Sequence, residues 1–176
     1  MLLLPLLALA LLGCDAGPSD TTPPSASALP IASPMSIGDG CLIGTWVLLS
    51  QQSTSTAGSL SGYTGARMTI TAQGAETTDY SSAGPYRGTL NGQSVSITRH
   101  GAWSFQDYAA KGKLVRTAVS SHLVETYSYS TSTTSQAIHA APTSTYAYRC
   151  NATQLQYAAP LTDPSGSFLT SWSKLA

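Results

Sequence analysis

Short segments in the middle of the chain alternate apolar and polar residues with a period of two. The clearest are residues 67–71, Arg-Met-Thr-Ile-Thr, and residues 94–98, Ser-Val-Ser-Ile-Thr. Successive side chains of a β-strand point to opposite faces of a sheet, so this pattern predicts two strands that each bury one face. The side chains predicted to be buried are Met68, Ile70, Val95 and Ile97.

Turn-forming residues divide the surrounding sequence into further short segments. Asn91-Gly92 is the strongest hairpin signal because both positions tolerate a positive φ, and Gln73-Gly74 predicts a second turn. Further strands are predicted at residues 43–51, 76–81, 86–90, 101–105, 113–119, 123–131, 144–150, 153–158 and 167–173. Short strands at such close spacing, with almost no predicted helix, indicate an all-β sandwich or barrel.

The N-terminus carries a different pattern, an unbroken apolar run over residues 2–12. This run is too short for the roughly 20 residues that span a bilayer, but it suits a signal peptide. The following Leu11-Leu12-Gly13-Cys14 resembles the lipobox of bacterial lipoproteins. That resemblance implies a signal peptide over residues 1–13, lipidation of Cys14 after cleavage, and attachment to a bacterial membrane in the cell envelope. The alternative is an ordinary secretory signal followed by a chance cysteine.

Residues 14–37 are rich in Pro, Ser, Thr and Ala and poor in large apolar residues. Such a segment cannot bury enough apolar surface to offset the entropy of ordering, so it is predicted to be a disordered tether. The remaining residues, 38–176, have a length that suits one domain.

Two cysteines remain in this domain, Cys41 and Cys150. An isolated pair in an exported protein indicates a disulfide, which would stabilise the fold by roughly 4 to 5 kcal/mol in the chain-entropy model. Two free thiols are the alternative. No metal site is expected, because no Cys-x-x-Cys motif is present and the three histidines are scattered.

The start of the first strand, Gly44-Thr45-Trp46, resembles the Gly-x-Trp signature of lipocalin-like (calycin) barrels, including streptavidin-like proteins. In those folds the tryptophan closes one barrel end beneath a basic residue from the last strand, and Lys174 stands in that place. Residues 148–155 also resemble the Tyr-x-Cys turn and Leu-containing strand of lipocalin-like domains in bacterial lipoproteins. The resemblance implies a single small antiparallel up-and-down β-barrel over residues 38–176, closed by Gly44, Trp46 and Lys174. A plain core tryptophan is the alternative.

Charge excludes some classes of partner. Charged residues make up 9% of the chain, eight basic against eight acidic, so nucleic acid is not expected as a partner.

The positions of the acidic residues in the predicted strands do not suggest a carboxylate pair. Glu76 and Asp79 are three apart in a predicted strand and are predicted to face opposite ways. Glu125 either reaches solvent at a barrel rim or needs a buried partner, and the rim is the prediction.

Three classes of function compete. A barrel of about eight strands can hold one small molecule, which is expected to be apolar or aromatic. The residues predicted to line the binding site are Tyr127, Tyr129, Tyr146 and Tyr148. These tyrosines could instead simply pack the barrel. A protein-binding or envelope scaffold or inhibitor module comes second, using predicted loops at residues 53–62 and 131–144. An enzyme comes last, because no catalytic motif is found, and no cofactor is expected.

Overall fold

The computed structural model describes residues 37–160 and 166–176, which form one short 3-10 helix and eleven β-strands. The predicted signal peptide, Cys14 and the tether up to residue 36 lie outside the described residues. Within the described ranges, no helix is long and apolar enough to cross a bilayer. The 3-10 helix is Gly40–Leu42, and the strands are β1 Gly44–Ser55, β2 Gly58–Gly62, β3 Arg67–Ile70, β4 Ala75–Asp79, β5 Tyr86–Leu90, β6 Gln93–Ala110, β7 Lys113–Tyr129, β8 Thr133–Ile138, β9 Thr143–Cys150, β10 Gln154–Pro160 and β11 Ser167–Lys174.

The described strands form a closed antiparallel barrel of eight strand positions, compatible with the predicted lipocalin-like fold. Closure comes from the pairing of the first strand with the last: Trp46 of β1 lies opposite Lys174 of β11. Three positions around the barrel are each filled by two successive strands. β2 and β3 both pair with β1, β4 and β5 both pair with β6, and β8 and β9 both pair with β7. The all-β barrel prediction is confirmed.

Several predicted segments merge into longer strands. Residues 94–98 and 101–105 belong to the single strand β6, and residues 113–119 and 123–131 mostly belong to β7. Gly101 breaks the apolar alternation, but only a glycine fits there. Its φ is +101°, and an added Cβ would lie 1.8 Å from the carbonyl oxygen of His122. The glycine therefore marks a close approach of β6 and β7 inside a continuous ladder.

The two clearest turn predictions are correct. Asn91 and Gly92 both have positive φ, +50° and +76°, and connect β5 to β6. Gly74, with a φ of +80°, lies in the connection between β3 and β4. The side chains predicted to be buried are in the hydrophobic core: Met68, Ile70, Val95 and Ile97.

The two predicted loops are wrong. Residues 53–62 contain the end of β1 and all of β2, and residues 131–144 contain β8. Both segments are built from Ser, Thr, Gln and Gly with few large apolar residues, so the alternation that reveals a buried face is absent. Most side chains of β8 are exposed. Strand pairing there depends on backbone hydrogen bonds to neighbours rather than on apolar burial.

One end of the barrel, called here the closed end, is covered by the residues that precede β1. Leu42 of the 3-10 helix is fully buried, and its carbonyl accepts a 2.9 Å hydrogen bond from Nε1 of Trp46. The predicted disulfide is present and joins Cys41 of this helix to Cys150 at the end of β9. Ile37, the last residue of the predicted tether, is also buried.

Lys174 lies over Trp46 at the closed end, with Nζ 5.1 Å from the ring centroid. Gly44 makes room for this lysine, because a Cβ at that position would lie 2.5 Å from Cε of Lys174. Its φ of +139° is a second reason for glycine. The spacing of Gly44 and Trp46 thus has a local physical explanation.

Candidate functional site

A pocket of about 170 Å³ lies inside the barrel beyond the closed end. Its wall combines rings with hydrogen-bonding side chains. The aromatic members are Tyr80, Trp103, Phe105, Tyr146, Tyr157, Phe168 and Trp172, and the polar members are Gln51, Thr78, Arg99, Arg116 and Thr170.

Arg99 occupies an inward-facing position of β6, and its guanidinium group contacts three aromatic rings. Its guanidinium carbon lies between 4.6 and 4.9 Å from three ring centroids, those of Tyr63, Tyr80 and Trp103. Each cation–π contact of this kind contributes roughly 0.5 to 2 kcal/mol. The rings therefore fix the orientation of the guanidinium.

Glu125 is the ionic partner of Arg99, and the prediction that it lies at a solvent-exposed rim is wrong. The two residues are directly opposite in the β6–β7 ladder, and both Nε and Nη2 of Arg99 donate to Oε1 of Glu125. Glu125 is only 4% exposed. It also accepts hydrogen bonds from the hydroxyl groups of Tyr63 and Tyr127. These donors satisfy the carboxylate inside the barrel, so it does not need to reach water.

Arg116 of β7 repeats the arrangement nearer the closed end. Its guanidinium carbon lies 5.0 to 5.2 Å from the ring centroids of Phe105, Tyr146 and Tyr157. Its Nη2 donates to Glu76, while Nε lies 3.5 Å from Oδ1 of Asp107 without forming a hydrogen bond. Burial lowers the pKa of both arginines, but the adjacent carboxylate and phenol groups outweigh burial and hold each arginine pKa above its ordinary value.

Asp107 is fully buried, and neither of its carboxyl oxygens has a hydrogen-bond partner among the described residues. Its pKa is raised to about 8, chiefly by burial and then by the nearby negative charge of Glu76, while the Arg116 cation opposes the rise. Asp107 is therefore mostly protonated at pH 7. Glu76 and Asp79 do face opposite ways, as predicted, because Glu76 is 1% exposed whereas Asp79 lies on the exposed face of β4.

The predicted ligand-lining tyrosines are divided by the structure. Tyr146 lines the pocket, but Tyr127, Tyr129 and Tyr148 do not. Burial raises the pKa of Tyr127 to about 12, and its hydroxyl group bonds to Glu125. Tyr129 packs against the core. The hydroxyl group of Tyr148 donates to Asp39 beside the closed end.

Sequence reasoning missed both arginines and most of the ring residues around them. The signal was present in β6, where residues 95, 97, 99, 103, 105, 107 and 109 share the inward face. Dividing β6 at Gly101 hid this continuous period of two, and Arg99 and Asp107 lay beyond the ends of the two predicted segments. Among the described residues, no group of three or more His, Cys, Asp or Glu side chains could hold a metal ion.

Comparison of the chain with protein-family models, with curated proteins and with solved structures gives no match.

Proposed function

We propose that this protein is an exported, lipid-anchored envelope protein whose barrel binds a small aromatic molecule in the interior pocket. Export and anchoring rest on the apolar run and the Leu11-Leu12-Gly13-Cys14 sequence, which resembles a lipobox. The binding function rests on the pocket. Lipidation would hold the barrel at a membrane surface while leaving its interior open to small molecules in the envelope.

The observation that carries the binding proposal is the placement of ionic groups around unfilled space. Arg99 and Arg116 are each about 11% exposed in their side chains, and both line the pocket. Removing such charges from water costs several kcal/mol per ion, and a barrel filled with apolar side chains would avoid that cost. Buried charged residues that lower the stability of the fold are typical of functional sites.

The size of the pocket favours a single ring. A cavity of roughly 150 Å³ accommodates benzene, so about 170 Å³ admits one six-membered ring with a small substituent. The ring would contact aromatic walls, including Trp103 and Trp172, in the offset or edge-to-face arrangements that aromatic pairs prefer. The guanidinium groups add polar recognition, so within the predicted apolar or aromatic class they favour an aromatic ligand with a polar substituent.

Calorimetric titration of the full-length protein with benzyl alcohol, benzamide and benzoate tests the proposal. At least one of these one-ring compounds is expected to bind saturably. Phe168→Trp should weaken that binding because the larger ring extends the pocket wall inward. Leu169→Trp is the matched control, since Leu169 is exposed on the outer face. No saturable binding of any compound, or equal binding by the two variants, would contradict the proposal.

A second candidate, a protein-binding or envelope scaffold module, is favoured by the small volume of the pocket. Ligand pockets usually measure roughly 300 to 1,000 Å³, and this interior is filled more completely than that range implies. Strand β8 would be the contact element, because among the described residues it pairs only with β7 and leaves one edge unpaired. In that case cross-linking in the intact envelope should capture a specific partner through residues 133–138, and the calorimetric titrations should show no binding of the one-ring compounds.

A further inference from the structure

The two arginines line the interior pocket, whereas the carboxyl groups that pair with them do not. Glu125 lies behind Arg99, and Glu76 and Asp107 lie behind Arg116, so no acidic side chain contributes to the wall. Each ion pair therefore presents its positive end to the pocket. Two such dipoles around one small space create a positive potential there, although the whole chain has a formal net charge of zero.

We propose that the ligand of this pocket is a one-ring acid, whose carboxylate is held by the guanidinium groups of Arg99 and Arg116 while its ring packs against the aromatic wall. This inference rests on the proposed small-molecule function and specifies its chemical class. It assigns the two arginines as the residues that determine specificity.

Hydrogen-bond donors remain for such a ligand after the internal ion pairs are counted. A guanidinium carries five N–H donors. Glu125 accepts hydrogen bonds from Nε and Nη2 of Arg99, and Glu76 accepts one from Nη2 of Arg116. These bonds use only part of each guanidinium. The ring contacts of both arginines also hold them in place before a ligand arrives, which reduces the ordering that binding would otherwise require.

The balance of internal charge also permits an added anion. Arg99 is offset by Glu125, Arg116 is offset by Glu76, and Asp107 is mostly neutral at pH 7. A carboxylate in the pocket would thus meet two cations at short range and two anions at longer range. Because the site is partly shielded from water, the nearer charges dominate.

A comparison of benzoate with benzamide, in the full-length wild-type protein at pH 7, tests the inference directly. The two compounds have the same ring and nearly the same size, but only benzoate is charged. Hydrogen bonds to charged groups are stronger than neutral ones, so benzoate is expected to bind at least about tenfold more tightly. Equal affinity, or preference for benzamide, would overturn the acid inference and leave the proposed function standing. Failure of benzyl alcohol and both of these compounds to bind would overturn both.

Variants locate the preference in the barrel interior. The double substitution Arg99→Gln with Glu125→Gln removes a cation and its paired carboxylate together, so no unpaired buried charge remains. It should bring benzoate and benzamide to within about threefold of each other, because benzoate loses its charge-assisted bonds to Arg99 and keeps only those to Arg116. Arg67→Gln is the matched control, because Arg67 is exposed on β3, and it should retain the full preference. Loss of preference in Arg67→Gln, or its retention in the folded double variant, would overturn the assignment. If the double variant does not fold, the wild-type comparison decides.

Discussion

The buried carboxyl group of Asp107 makes the stability of the fold depend on pH. Three titratable groups face it: Glu76 from β4, Arg116 from β7 and Tyr157 from β10. The carboxyl group is surrounded by protein and lacks a hydrogen-bond partner among the described residues, so ionisation is unfavourable. Its folded-state pKa of about 8 lies well above the ordinary value of 3.8. The folded protein therefore holds a proton that the unfolded chain releases.

The sign of the resulting stability change follows from proton linkage. Between about pH 4 and pH 8 the folded state binds more protons than the unfolded state, so the free energy of unfolding falls as the pH rises. Asp107→Asn keeps the size of the protonated carboxyl group but cannot ionise. It should raise the melting temperature at pH 8 by at least about 2 to 4 °C, and should change it little at pH 4.

Thermal unfolding of the wild-type and Asp107→Asn proteins across this pH range measures the effect. Asp79→Asn is a suitable control, because Asp79 is exposed and its pKa is lowered by hydrogen bonds from Ser81. That variant should not be stabilised as the pH rises. A constant difference between wild type and Asp107→Asn at every pH would show that Asp107 is not protonated in the folded state.

At the scale of elements, the sequence predicted strands well where one face is apolar and poorly where both faces are polar. The turn at Asn91-Gly92 and the buried residues Met68 and Ile70 were predicted because local chemistry alone determines them. β2 and β8 were missed because their pairing comes from neighbouring strands. The register that places Arg99 opposite Glu125 is a long-range property, which local alternation cannot indicate.

The closed end provides a test at this scale, because the disulfide ties the segment before β1 to β9. The double substitution Cys41→Ala with Cys150→Ala should lower the free energy of unfolding by about 2 to 5 kcal/mol. It should also speed hydrogen exchange at Nε1 of Trp46, whose bond to Leu42 depends on this segment. Reduction of the wild-type protein should reproduce both effects. An unchanged melting temperature and unchanged exchange would mean that packing of Leu42 alone secures the closed end.

At the scale of the whole molecule, the barrel was predictable and its interior was not. Composition and strand spacing indicated an all-β sandwich or barrel, and the resemblance of Gly44-Thr45-Trp46 to the lipocalin-like signature implied the closed barrel. The interior depends on which inward positions meet across strands distant in sequence: Glu76 and Arg116 come from β4 and β7, and Tyr157 comes from β10. Only the closed fold brings them together. Of the four tyrosines predicted to line a ligand site, only Tyr146 lines this interior pocket, whose wall also contains two guanidinium groups.

Attachment of the whole molecule to a membrane remains a prediction from residues 1–14. Cys14→Ser should prevent lipidation, so unprocessed precursor should accumulate, as it should in wild-type cells treated with globomycin. Cys41→Ser with Cys150→Ser is the matched control, because it removes two cysteines from the barrel and leaves Cys14 intact. That variant should still be processed and recovered with membranes, even if less stable. The acyl chains hold a lipoprotein on a bilayer through buried CH₂ groups, each of which contributes about 0.8 kcal/mol, so a chain cleaved without lipidation would be released from the membrane. A water-soluble mature form of normal size from Cys14→Ser would therefore show that ordinary secretory cleavage occurs and would contradict the lipoprotein prediction.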